Sequence, residues 1–313
     1  MPRPPLPRLL PAVIGLLAIL APLAPARAET VVSRVARSGQ LVVTGVPGNP
    51  PLLSLGSEGA PQGYAMAIID QVGGELSRAL GRPVKVRFLP AGSTTEASQA
   101  IASGKADLAC GFPFSWDQDQ QLDYSLPIGL SGLRLLAPTG RFDGSTAALR
   151  GRRIGVVRDS LAESELKGMQ PAAVAVGFPT LAAAVSALSA GSLDGVIGDT
   201  LLLASLSRSQ RAGGLSLTPE EPFERYAIAC ALPENDSAFR NLVNLAIARL
   251  LQGYLDGNPE AVSAIDRWVG PQSGLGVPSE RIRAYFESVL LGVEAIRSGP
   301  TGVTPPAQGR AGG

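Results

Sequence analysis

From Gln40 to Gly270 the chain alternates short apolar runs with helical stripes, and it does so in two rounds. "LVVTGV" reads as a strand. "GYAMAIIDQVGGELSRAL" puts Met66, Ile69, Val72, Leu76 and Leu80 on one stripe, which Gly81 ends. "VKVRFL" is a second strand, "TTEASQAIASGK" a helix opened by a Thr cap, and "ADLACGF" a third strand. The second round runs through "RRIGVV", a helix from about Ser160, "VAVGF", "TLAAAVSALSAG" and "LDGVIGD". This alternation predicts an α/β protein with mixed, mostly parallel sheets, and its repetition predicts two lobes. After "FERYAIACAL" comes a helical region from about Ser237 to Val269.

A chain of 313 residues with 45% hydrophobic residues can bury a substantial core. Its formal net charge of +1 gives it no electrostatic pull toward nucleic acid. Histidine is absent, which excludes Ser-His-Asp and Cys-His chemistry and removes the commonest zinc ligand. Neither a metal nor a cofactor is expected, and catalysis would have to rest on carboxylates, Tyr, Lys or Arg.

The first 28 residues read as an export signal: Arg3 and Arg8, an uncharged run from Leu9 to Ala26, and a small-residue site at Ala26-Arg27-Ala28. Pro11, Pro22 and Pro25 interrupt the run and argue against a retained anchor. Cleavage after Ala28 leaves a slightly acidic, periplasmic protein with no membrane span. It also leaves no Cys at the new N-terminus for lipid attachment.

The order of "SGQLVVTGV", Pro50-Pro51, Gly63-Tyr64, "ASGKADL", "LDYSLP", "LRGRRIGVV", "GSLDGVIGD" and "WVG" resembles bacterial extracellular solute-binding proteins of family 3, the amino-acid receptors of ABC importers. The resemblance implies the type II periplasmic binding protein fold, in which two α/β lobes joined by two crossing segments close on a ligand by hinge motion. It implies lobe 1 at residues 29–136 and 227–270, lobe 2 at 137–226, and crossings near Arg134 to Thr139 and Glu224 to Ala229. Residues 271–297 form a helical extension, with Ile282, Tyr285, Phe286, Val289, Leu290 and Val293 at helical spacing. The Pro- and Gly-rich end, 298–313, is expected to be disordered.

The resemblance also exposes a departure. In amino-acid-binding relatives the stretch matching "ACGFPFSWDQDQQLDYS" resembles G-x-T-x-T-x-x-R before the aromatic-Ser pair, and here Gln118 stands where Arg is expected. Gln lacks the charge and the fork that grip an α-carboxylate. Pro113 replaces a hydroxyl residue, while Ser115 keeps the second one; Phe112, Ser93 and Asn49 complete the expected lobe 1 lining, with Val46 in place of a frequent acid. In lobe 2, Asp159 falls where Gly is usual at the start of the carboxylate-binding helix, beside Ser160. Asp159 also reads as a plain helix N-cap, as does Asp199, which the resemblance makes the acceptor of a ligand ammonium. Together these residues describe a cleft suited to a cationic or neutral polar group and poor for a standard amino acid.

Three functions follow from the resemblance. The first is a non-catalytic, monomeric solute-binding protein, serving an ABC permease or acting as an orphan receptor with another cell-envelope partner. The second is an enzyme like the cyclohexadienyl dehydratases, whose carboxylate substrates need the missing basic anchor. The third is a protein-interaction module with a vestigial cleft. "GFPFSWDQ" is also similar to cyanobacterial orphan binding-like proteins associated with glycine-rich-repeat peptide maturation. Trp116 with Phe112 and Phe114 reads either as a ligand stack or as interlobe packing, and Arg152 and Arg153 as solvated surface. In similar proteins the strands bearing Cys110 and Cys230 are neighbours. A disulfide and a pair of buried thiols are both open, the thiols being expected because adjacent strands make awkward disulfide geometry.

Overall fold

The computed structural model describes residues 29–114, 121–209 and 213–297, with side chains described as far as residue 292. The first element of the described residues is α1 (Val31–Ser38), which sequence reading missed. Its signal is short: Thr30 caps it by accepting from the Ser33 amide, and Val31 and Val35 alone are buried. Then come β1 (Gln40–Gly45), β2 (Ser54–Leu55), β3 (Pro61–Gln62), α2 (Tyr64–Leu80), β4 (Lys85–Pro90), α3 (Thr94–Ala102), β5 (Ala109–Pro113) and β6 (Leu122–Tyr124). β1 and β4 pair in parallel, from Gln40 opposite Lys85 to Gly45 opposite Pro90. A bridge between Val43 and Leu108 sets the run-in to β5 beside β1. Asp107 fastens this junction: almost fully buried, it accepts from the Val42 amide at 2.8 Å and from the guanidinium of Arg34.

The remaining strands and helices of the second round are β7 (Gly129–Pro138), β8 (Arg153–Val157), α4 (Leu161–Met169), β9 (Val174–Phe178), α5 (Leu181–Ser189), β10 (Gly195–Asp199), α6 (Thr200–Ser209), β11 (Leu215–Thr218) and β12 (Glu224–Pro233). One sheet runs β5-β12-β7-β10-β8-β9, with β6 added on β12 and β11 on β7. Pairings inside the βαβ units are parallel, and those made by the long strands β7 and β12 are antiparallel. β7 and β12 pair with each other from Gly129–Ile228 to Leu133–Glu224. Beyond that stretch β7 continues against β10 and β11, and β12 against β5 and β6. The chain therefore passes between lobes at 129–133 and 224–228, and the first passage begins five residues before the sequence placed it. The reason is that β7 is a single ten-residue strand, with no loop at the lobe boundary. Gly132 lets the strands meet there, since a Cβ would lie 2.4 Å from the Glu224 carbonyl oxygen.

The chain closes with α7 (Ser237–Leu255), α8 (Pro259–Asp266) and α9 (Ser279–Arg297). Each lobe packs apolar clusters on both faces of its sheet. In lobe 1 the larger joins α1, α2, α7, α8 and α9, and the smaller lies under α3. In lobe 2 the clusters lie under α4 and under α5 with α6. α9 buries Ile282, Phe286 and Val289 in the larger lobe 1 cluster. Its Arg283 donates to the Leu255 carbonyl at the end of α7 (2.7 Å), and Tyr285 Oη donates to the Gly129 carbonyl at the start of β7 (2.7 Å). Burial pushes the Tyr285 phenol up to about 12.

Cys110 and Cys230 are bonded to each other, which corrects the expectation of free thiols. They are register partners on β5 and β12, with Cα atoms 3.9 Å apart. The backbone of Cys230 is hydrogen-bonded on its other side, to Ser125 through both N–H and C=O. Toward Cys110 it therefore forms a pair without ladder bonds, the closer kind of antiparallel pair, and a shift in register beside it breaks the regular geometry that made adjacent strands look unsuitable.

Candidate functional site

The same irregularity decides what lobe 1 offers to the cleft. Ala229 pairs with Phe112 and Cys230 with Cys110, so Gly111 is the extra residue of a bulge, at φ +89°. Cys110 consequently faces the larger core cluster while Phe112, two residues on, faces the opposite one. Phe112, expected to line the cleft, is 5% exposed in the core between α3, β6 and β12. Pro113 pairs with Ile228 and stays half-buried, and the Phe114 ring packs edge-on against Tyr124 at 5.0 Å. Asn49 lies in the loop after β1, where its backbone exchanges both hydrogen bonds with Leu53 and its amide reaches the Val46 carbonyl at 3.3 Å. Ser115, Trp116 and Gln118 lie outside the described residues.

The starts of α3 and α4 are built alike. Ser93, not the expected Thr, caps α3 and accepts from the Glu96 amide at 3.1 Å, while the Glu96 carboxylate accepts from the Gly92 amide at 2.7 Å. Ser160 caps α4, and the Glu163 carboxylate accepts from the Asp159 amide at 2.8 Å. Free N–H groups at a helix start are what hold an anion. At both starts the chain's own glutamate turns back to the amide of the residue just before the cap, Gly92 or Asp159. The Lys167 ammonium and then the Asp159 amide hold the Glu163 carboxyl below its ordinary range.

Asp159 is not the cap of α4. It precedes the cap, exposed, with φ +54°, the left-handed conformation that glycine adopts most readily. Asp159→Gly is therefore expected to raise stability by up to about 1 kcal/mol. Relief of the left-handed backbone, about 1–2 kcal/mol, exceeds the extra unfolded-state freedom of glycine, about 0.4–1 kcal/mol. Urea midpoints compare the two proteins, and a lower midpoint for Asp159→Gly contradicts this account.

Asp199 ends β10 opposite Leu133 and caps α6. Its Oδ1 accepts from the Leu201 and Leu202 amides at 2.8 and 3.0 Å, and its Oδ2 accepts from Tyr226 Oη at 2.6 Å. Tyr226 and Ser131 are register partners on β12 and β7, so carboxylate, phenol and hydroxyl share one face of the sheet where the strands cross. Burial raises the Asp199 carboxyl above its ordinary range, against the opposing hydrogen bonds from Tyr226, the two amides and Ser131. Burial and the neighbouring carboxylate raise Tyr226 as well. The sequence singled out Asp199 but neither Ser131 nor Tyr226, because only strand pairing brings the three together. Among the described residues no group of His, Cys, Asp and Glu is arranged to hold a metal.

Two α/β lobes are joined by a pair of crossing strands, with Asp199, Tyr226 and Ser131 together at the crossing. The chain belongs to the bacterial extracellular solute-binding proteins, family 3, whose model matches residues 41–257. Among solved structures the fold is similar to the solute receptor for L-cysteine of Neisseria gonorrhoeae, at TM-score 0.67 and 20% identity, over 80% of this chain and 98% of that one. It is also similar to an ancestral arginine-binding protein bound to arginine, at TM-score 0.64 and 21% identity over 74% and 99%. An ancestral amino acid-binding protein described as a precursor of cyclohexadienyl dehydratase gives TM-score 0.64 and 18% identity over 77% and 99%. No curated protein matches the chain. Among the described residues no helix is long and apolar enough to cross a membrane.

Proposed function

We propose that this protein is a non-catalytic periplasmic receptor that closes its lobes on a small cationic or neutral polar solute, either for an ABC permease or as an orphan receptor. The observation that carries the reading is the start of α4. There the Asp159 amide is held by Glu163 and the Asp159 carboxylate is exposed, at the helix start to which the family resemblance assigns a ligand carboxylate. An anion docking there would meet like charge and would have to displace an existing charge-assisted hydrogen bond. Gln118, in place of the Arg of amino-acid-binding relatives, acts in the same direction. The absence of histidine and the mutual engagement of Asp199 and Tyr226 favour binding over catalysis.

The expected result is that none of the twenty standard L-amino acids binds at micromolar concentration in calorimetric titration of the mature protein. A melting-temperature screen over amines, sugars and dipeptides should find a stabilising solute, because a ligand that binds the folded state alone raises its stability. Micromolar binding of any standard amino acid overturns the reading.

A further inference from the structure

The end of lobe 2 away from the cleft carries arginines that the solute site does not use. β8 and β10 run parallel and start side by side, near Arg153 and Gly195, while Asp159 and Asp199 lie at their other ends. Arg150, Arg152 and Arg153 lead into β8 at the far end. Arg141 joins them through its ion pair with Asp194, the residue before β10. α6 leaves Asp199 and runs back from the cleft, so its last turn adds Arg208. Each of these arginines is exposed, and among the described residues no acid pairs with Arg150, Arg152 or Arg208. The whole chain balances 27 basic against 26 acidic residues, so this gathering of positive charge is local.

An exposed apolar loop is fastened to the same turn. The Gly151 amide donates to the Ala172 carbonyl and the Val174 amide to the Arg152 carbonyl, both at 2.8 Å. Pro171, Ala172, Val174 and Ala175 are thereby held beside the arginines and stay exposed, Val174 at 46%. A protein partner is anchored by large side chains packed in a dry centre, and this loop offers none. Small apolar side chains flanked by guanidinium groups fit a lipid surface instead. There the apolar atoms enter the headgroup boundary and the guanidinium groups meet anionic phosphates.

We propose that this end of lobe 2 is a docking surface for an anionic phospholipid bilayer, formed by Arg150, Arg152, Arg153 and Arg208 around the 171–175 loop. Docked in this way, lobe 2 turns its Asp199 end away from the bilayer and keeps it open to solute. The surface shares no residue with the cleft, so the inference goes beyond the receptor reading and does not depend on it.

Co-sedimentation of the mature protein with vesicles of phosphatidylcholine alone, and of phosphatidylcholine mixed with phosphatidylglycerol, tests it. The protein should bind the mixed vesicles at low ionic strength, leave the neutral ones in solution, and be released as salt is added. Arg150→Glu combined with Arg152→Glu should weaken binding at least about tenfold, since each basic side chain near an anionic surface is worth about fivefold. Arg208→Glu, on a separate element, should weaken it by about fivefold or more. Lys85→Glu combined with Arg87→Glu, exposed on β4 of lobe 1, is the control. It changes the net charge as much as the first pair does and should leave binding within about twofold, because charges beyond the screening length contribute little. Circular dichroism checks that each variant is folded, and Arg208→Glu decides the matter if the double variant is not. No binding to the mixed vesicles at low ionic strength overturns the proposal. Equal binding to both kinds of vesicle, or equal losses from the lobe 2 and lobe 1 charge reversals, overturns it as well.

Discussion

Cys110→Ala combined with Cys230→Ala is expected to destabilise the protein by about 5 kcal/mol, the largest effect of any substitution considered. The bond joins residues 120 apart in sequence. On the chain-entropy account, closing so long a loop restricts the unfolded chain by about that amount. The loop contains all of lobe 2, because β5 precedes and β12 follows the strands and helices of the second round. The bond therefore holds lobe 1 together across an insertion that would otherwise let its halves separate. Thiol counting in denaturant should find none free in the oxidised protein. Urea unfolding with and without reductant should separate the two forms clearly, and coincident midpoints would show that the bond contributes nothing.

Phe286→Ala is expected to cost about 3–5 kcal/mol, as for other buried Phe side chains. The residue is 2% exposed, and its ring meets Tyr254 of α7 edge-on at 5.3 Å. The test has wider meaning, because α9 lies beyond residues 41–257, which match the family. A loss of that size establishes α9 as part of the lobe 1 core. A loss below about 1 kcal/mol, the range of surface substitutions, would mark it as a loosely attached appendage. Leu291→Ser, at a 63% exposed position of the same helix, is the control and should stay within about 0.5 kcal/mol.

Much of the fold was legible because periodicity is local. The stripe Met66-Ile69-Val72-Leu76 and its Gly81 stop became α2, whose C-cap is Gly81 at φ +65°. "VAVGF" and the residues after Thr180 became β9 and α5 in the places expected. Elements too short for a period were missed, α1 and the two-residue strands β2 and β3 among them. Caps were displaced by one residue at Ser93 and Ser160, since neighbouring hydroxyls and acids compete for the same amides and only backbone geometry chooses between them.

The sequence by itself determined the two-lobed α/β plan and the absence of histidine chemistry. These follow from residue types and their spacing along the chain. Tertiary structure alone decided that Gly111 is an extra residue turning Phe112 into the core, that Cys110 meets Cys230, and that Ser131 and Tyr226 stand with Asp199. Each of these depends on the register between strands far apart in sequence. A shift of one residue moves a side chain to the other face of a sheet, and nothing local in the chain records that choice.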